Sequence, residues 1–266
     1  MNDPIDSDEG TILATPDGHL LRMTVSRPRK LNGFTPKMMR ELGEAYTRLE
    51  HDPDLRVGVL VADGPNFTAG LDLPKFAHIL QQGEPLVPED LIDPFDLRPP
   101  RRTKPVVVGT RGISFTLGVE LSLAADVAIT ASDVRMSQIE VKRAIMATGG
   151  ATIRMVERAG WASAMRWLLT GDEFDATEAL RMNIVTQVVA PEAVEDVACD
   201  IARRIACAAP EAVIATRRNA LIAHETGRDA AIAEFEEVNA RLSSMTDAAE
   251  GVAAFMEKRE PRFTGR

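Results

Sequence analysis

Cysteine is nearly absent: Cys199 and Cys207 are the only two in 266 residues, they lie in one Ala-rich stretch, and no Cys-x-x-Cys unit occurs. Neither a disulfide framework nor a thiolate zinc site can be built from that pair. The four histidines, His19, His51, His78 and His224, are scattered, and no metal or redox cofactor is expected. Walker, Gly-x-Gly-x-x-Gly, His-Glu-x-x-His and Gly-x-Ser-x-Gly motifs are all missing. No apolar run approaches the roughly eighteen residues of a membrane span. Basic residues are in deficit, 31 Lys and Arg against 40 Asp and Glu, for a net charge of −9. Such a chain has no general attraction for nucleic acid or an anionic membrane. Its opening, MNDPIDSDEG, is acidic and polar, the opposite of a secretory or transit peptide, so a cytoplasmic location is expected.

What is present is ordinary globular material, 45% hydrophobic and 27% charged. Residues 1–10 read as a solvated tail. Leu20 to Val25 alternates like a strand, and Thr35-Pro36 reads as an N-cap followed by a first-turn proline. Met38, Met39, Leu42, Ala45, Tyr46 and Leu49 then keep helical spacing up to Asp52-Pro53. Val57 to Ala62, Pro105 to Gly109 and Val127 to Thr130 are short, Val-rich runs suited to buried strands. Between them, Leu73 to Lys104 is rich in proline and scattered charge and reads as a long, partly mobile excursion. Helical periodicity dominates from Ala151, broken by the strand-like Ile184 to Val189. The organisation is an α/β core over 1–190 followed by a helical section over 191–266.

Two segments carry chemistry. Val57 to Leu73 is a strand running into the small-residue turn Ala69-Gly70-Leu71-Asp72, and Lys104 to Leu121 is a strand, a turn and a helix start. Each presents backbone N–H groups at the end of a buried strand. Two such donors, one at a helix N-terminus, can stabilise a carbonyl oxygen that becomes an enolate. The plain alternative is a pair of tight turns.

Arg27-Pro28-Arg29-Lys30-Leu31-Asn32, Ala69-Gly70-Leu71-Asp72-Leu73, Gly118-Val119-Glu120-Leu121 with Ala125-Asp126, Ile139-Glu140-Val141-Lys142, Leu169-Thr170-Gly171 and the closing Ala254 to Arg259 follow one another along the chain. In that order they resemble the signatures of the enoyl-CoA hydratase/isomerase (crotonase) family. The resemblance implies a spiral of β-β-α units with a helical C-terminal section and a homotrimer or dimer of trimers. It implies an acyl-CoA thioester as substrate and water addition to 2-trans-enoyl-CoA as the reaction. Glu120 and Glu140 match the family's two catalytic glutamates, and Ala69 and Leu117 would supply the oxyanion-hole N–H groups. Lys30, Leu31, Gly70, Leu71, Asp72 and Gly118 would contact substrate or its CoA portion, and Phe255 and Lys258 would reach the CoA of a neighbouring subunit.

Two carboxyls suit the chemistry, since one can activate water while the other protonates the alpha carbon. The sequence departs from the family pattern at Leu117, where glycine is usual; a side chain there would reshape the acyl pocket, and a positive φ would strain it. An isomerase would need only one carboxylate, and a silent acyl-CoA-binding scaffold would need none. An RNA-binding relative would need a basic helix, but Lys37 to Arg56 carries Lys37, Arg40, Arg48 and Arg56 against Glu41, Glu44, Glu50, Asp52 and Asp54.

Overall fold

The chain repeats one move: a strand in a large sheet, a short extended segment in a second layer, then a helix. The computed structural model describes residues 8–266. Strands β1 (Thr11–Asp17) and β2 (Leu20–Ser26) form an antiparallel hairpin, followed by helix α1 (Pro36–His51). Next come β3 (Val57–Ala62) with α2 (Leu73–Gln82), then β4 (Val106–Thr110), β5 (Ile113–Phe115) and α3 (Leu117–Ala124). The fourth round is β6 (Val127–Ala131), β7 (Arg135–Ser137), a 3₁₀ turn over Glu140–Arg143 and α4 (Ala151–Ala159). The large sheet has six strands in the order β1-β2-β3-β4-β6-β8, parallel from β2 onward, with β8 at Gln187–Val189.

The second layer decides where the site lies. Phe34 bridges Leu71, Thr68 bridges Ser114, and β5 pairs with β7, all in parallel. Segments far apart in sequence therefore end side by side, and each end leads into a helix or helical turn. Signatures scattered over a hundred residues are drawn to one place by this register.

Local chemistry explains the elements. Thr35 caps α1 by accepting a hydrogen bond from the Met38 N–H at 3.3 Å, with Pro36 in the first turn. β3 and β4 are buried along their whole length, as two-sided parallel strands require. Helix α3 is buried on every side. The excursion expected over Leu73 to Lys104 is more ordered than its prolines imply. It starts as α2, with Pro74 in the first turn and Gly83 closing it at φ 67°; Phe76, Val87, Ile92 and Phe95 along it are buried. Asp8 to Gly10 are tied down, their carbonyls accepting from Arg27, Thr35 and Lys37; the rest of the expected tail lies outside the described residues.

Helices α5 (Trp161–Thr170) and α6 (Ala176–Arg181) lead to β8. Helix α7 (Val194–Ala206) lies on the large sheet: Ala198, Cys199, Ala202 and Ala206 pack with Val57, Val59, Val107 and Ile129. The sheet's core thus extends past residue 190. Helices α8 (Pro210–Glu225), α9 (Arg228–Ala233), α10 (Phe235–Ser243) and α11 (Thr246–Glu257) complete the helical section. No helix among the described residues is long and apolar enough to cross a membrane.

Candidate active site

Where the second-layer segments end, a cavity of about 430 Å³ opens, lined by Ala69, Leu71, Thr116, Leu117, Glu120, Ile139, Glu140 and Arg143. Leu73, Leu80, Leu86, Phe95, Ile145 and Met146 give it an apolar wall. Both sequence-predicted glutamates face this one space.

Glu120 is the only ionisable residue on α3 and is 5% exposed. Its Oε1 accepts from the Ala151 N–H at 3.3 Å, at the start of α4. A Cβ on Gly149 would come within 2.5 Å of Glu120 Oε2, so a side chain there would displace the carboxyl. Burial pushes the carboxyl up to about 7, against the lowering effects of the Ala151 and Gly149 N–H groups and of the Arg154 charge. Glu140 is 6% exposed and is likewise pushed up to about 7, by burial first and by the charge of Glu120. With its amide nitrogen turned toward Glu140, Gln138 donates to both carboxylate oxygens, at 2.7 and 2.9 Å. Both carboxyls are thus raised toward neutrality in one cavity, and the charge of Glu120 adds to the effect of burial on Glu140.

The backbone donors differ from the expectation. The Ala69 N–H donates to the Leu31 carbonyl at 2.9 Å, so it is engaged in holding the turn. Two residues on, the Leu71 N–H has no intramolecular acceptor among the described residues, although Gly70 O and Asp72 N on either side bond to Phe34. Leu117 N–H, in the first turn of α3, is free in the same sense. Leu71 thus replaces Ala69 as the unpartnered donor of this loop. Leu117 carries no positive φ; that conformation falls on Thr116, at φ 50° and ψ −110°, whose carbonyl accepts from Val119 and Glu120. The Leu117 side chain is 2% exposed and packs in the core beneath the cavity.

Several of the other expected residues hold the loops around the cavity together. Asp72 accepts from Arg27 Nη1 at 2.8 Å, and the same nitrogen donates to Gly33 O at 2.9 Å, which joins the two loops. Asn32, fully buried, donates to the Asp63 and Asn66 carbonyls. Gly70, at φ 101°, faces Thr116 so closely that a Cβ would lie 2.3 Å from its hydroxyl, and Gly118 likewise lets α3 settle on Ser114 and Thr68. Lys30 and Leu31 are exposed, outside the cavity lining. Phe255, 82% exposed, and Lys258 sit at the end of α11 and do not line the cavity either. Sequence reasoning missed Gln138 and Arg154 and gave Arg143 no role in the cavity, because their positions become meaningful only once α4 and the 3₁₀ turn are folded against α3.

A repeated β-β-α scaffold that presents two unpartnered N–H groups and two buried carboxyls raised toward neutrality to one apolar cavity defines a carbonyl-polarising, acid–base enzyme class. The chain belongs to the enoyl-CoA hydratase/isomerase family, whose model matches residues 16–266. It is similar to (E)-benzylidenesuccinyl-CoA hydratase of Thauera aromatica, 32% identical over 93% of this chain and 96% of that protein. It is 34% identical to carnitinyl-CoA dehydratase of Citrobacter koseri, over 95% of this chain and 97% of that one. The structure of a probable enoyl-CoA hydratase/isomerase from Mycobacterium abscessus matches with a TM-score of 0.93 and 42% identity, over 97% of this chain and 100% of the other. The fold is the crotonase fold.

Proposed function

We propose that the protein hydrates 2-trans-enoyl-CoA thioesters, reversibly, with Glu120 and Glu140 as its acid–base pair. The observation that carries this reading is the meeting of both buried glutamates with the free Leu71 and Leu117 N–H groups in one cavity. The thioester carbonyl accepts from those two amides, which draws electron density away from the beta carbon. Water held between the carboxyls adds its oxygen to that carbon while one carboxylate takes its proton. The enolate charge gathers on the carbonyl oxygen, where each fixed donor contributes on the order of 3 kcal/mol. The other carboxyl then delivers its proton to the alpha carbon, which restores the carbonyl. Water's two parts are both added, and reversal is dehydration. The similarity to a hydratase and a dehydratase of CoA thioesters supports the same chemistry.

Lys30 stands outside the cavity, on the path a CoA tail would take from the turn, and Phe255 and Lys258 would act in a second copy's site within a trimer.

The test is a panel of 2-enoyl-CoA chain lengths, following loss of the conjugated thioester absorbance and appearance of the 3-hydroxyacyl product. Hydration that collapses in Glu120→Gln and Glu140→Gln is expected. Double-bond migration of 3-enoyl-CoA without hydration would replace this reading with an isomerase, and tight acyl-CoA binding with no turnover at any length would replace it with a scaffold.

A further inference from the structure

The cavity walls hold three charged side chains: Glu120, Glu140 and Arg143. The glutamates are used by the reaction; the arginine is not. Arg143 closes the 3₁₀ turn that Glu140 opens, and Ala144, left-handed at φ 58°, ends it. In a 3₁₀ turn, residues three apart leave from the same edge, displaced by roughly 6 Å along the axis. Glu140 and Arg143 therefore project from one edge of the turn, and both line the cavity.

The pairing of the neighbouring charges sets Arg143 apart. Lys142 is paired with Asp172 at 3.3 Å. Arg143 makes one hydrogen bond, from Nη1 to the Lys142 carbonyl at 3.2 Å, and has no carboxylate partner among the described residues. It does not serve as counter-ion to Glu140 either, since no cation is among the causes that move that carboxyl. Most of a guanidinium's five donors are thus uncommitted, in the fork geometry that takes a carboxylate in two parallel bonds. Opposite stand Leu73, Leu80, Leu86 and Met146, an apolar channel for the stem of an acyl group. A purely alkyl chain would leave this cation's free donors to solvent, whereas a carboxylate would engage them.

We propose that the cavity selects acyl thioesters that carry a carboxylate beyond the reacting double bond, and that Arg143 recognises that group. The inference rests on the hydratase reading for its reaction but not for its binding. Arg143 is exposed, so the pairing is partly screened, and a preference of about ten- to a hundredfold is expected, shrinking as salt is added.

CoA phosphates are anions as well, so the test uses two series. Enoyl thioesters ending in a carboxylate, and the same chains ending in the uncharged carboxamide, are prepared both on CoA and on N-acetylcysteamine, which has no phosphate. The quantity read is the kcat/KM ratio of carboxylate to carboxamide. A ratio of ten or more in both series, falling toward one in Arg143→Gln and partly kept in Arg143→Lys, is the expected result. A ratio near one in the wild type, a ratio untouched by Arg143→Gln, or a loss confined to the CoA series and equal for both chain ends would overturn it. If the wild type turns over no enoyl thioester, the hydratase reading fails by itself, and the same ratio is read from dissociation constants of the saturated thioesters.

Discussion

Two sets of carboxylates lie under this fold's surface and have opposite fates. Glu120 and Glu140 face the cavity without an ion-pair partner, and burial drives both up to about 7. Asp96 and Asp126 are held below the usual carboxylate range: the arginines around them outweigh a burial penalty that is the largest single influence on each. Asp126 accepts from Arg102 at 2.5 Å and from Arg217 at 2.7 Å, while Asp96 pairs with Arg217 at 2.6 Å and Arg101 at 3.1 Å. Desolvation acts on both sets. What separates a carboxyl that stores a proton from one that fastens helix α8 to the loop before β4 is the presence of arginine.

The contrast is broken most severely by removing the cavity carboxyls. Glu120→Gln or Glu140→Gln should lower kcat on 2-enoyl-CoA by on the order of 10²–10⁴ while the folded fraction stays intact, measured by steady-state kinetics beside thermal melts. In the other set, Asp96→Asn leaves Arg217 and Arg101 short of a partner. It should cost about 3 kcal/mol of stability by denaturant titration, with kcat per folded molecule largely kept.

Titration sharpens the same comparison. Because the cavity glutamates bind protons more tightly folded than unfolded, their contribution to stability is full below about pH 4.5 and is lost as pH rises through 7. The aspartates work the other way, stabilising the fold at neutral pH and losing that contribution as acid protonates them. Wild-type stability should therefore fall between about pH 4.5 and 7, by up to about 3 kcal/mol for each carboxyl ionised, and the melting temperature should fall with it. The Glu120→Gln, Glu140→Gln double variant should flatten that slope, and an unchanged slope would contradict the burial argument. The smallest effect expected is from Arg154, whose charge lowers Glu120. Arg154→Met should move the pH profile of kcat/KM toward alkaline values with a loss of only a few fold at pH 7, whereas a purely structural role would leave the profile in place.

Much of this was legible in the sequence, and the gaps have physical causes. Val57 to Ala62 and the Thr35-Pro36 start of α1 could be read directly, because burial on both faces and helix capping leave local patterns. Glu120 was singled out by its place in Gly118-Val119-Glu120-Leu121, which resembles the family's element. Helix α2 was hidden by the prolines around it, although Phe76, Ile79 and Leu80 have helical spacing and Gly83 supplies the stop. The turn at Ala69 to Asp72 was legible as a turn, but the choice between Ala69 and Leu71 as donor depends on the Leu31 carbonyl, far away in sequence. Thr116, with a backbone conformation unusual for a β-branched residue, gave no local sign of it. The roles of Gln138 and Arg154 exist only across packed elements.

Carbon-13 NMR of protein labelled at the glutamate carboxyls, with Glu120→Gln and Glu140→Gln used to assign the two signals, measures the carboxyl pair without any substrate. The account predicts that both resonances titrate around neutral pH and that removing one glutamate shifts the midpoint of the other downward. Two independent transitions near pH 4.5, in the range of exposed glutamates, would contradict it.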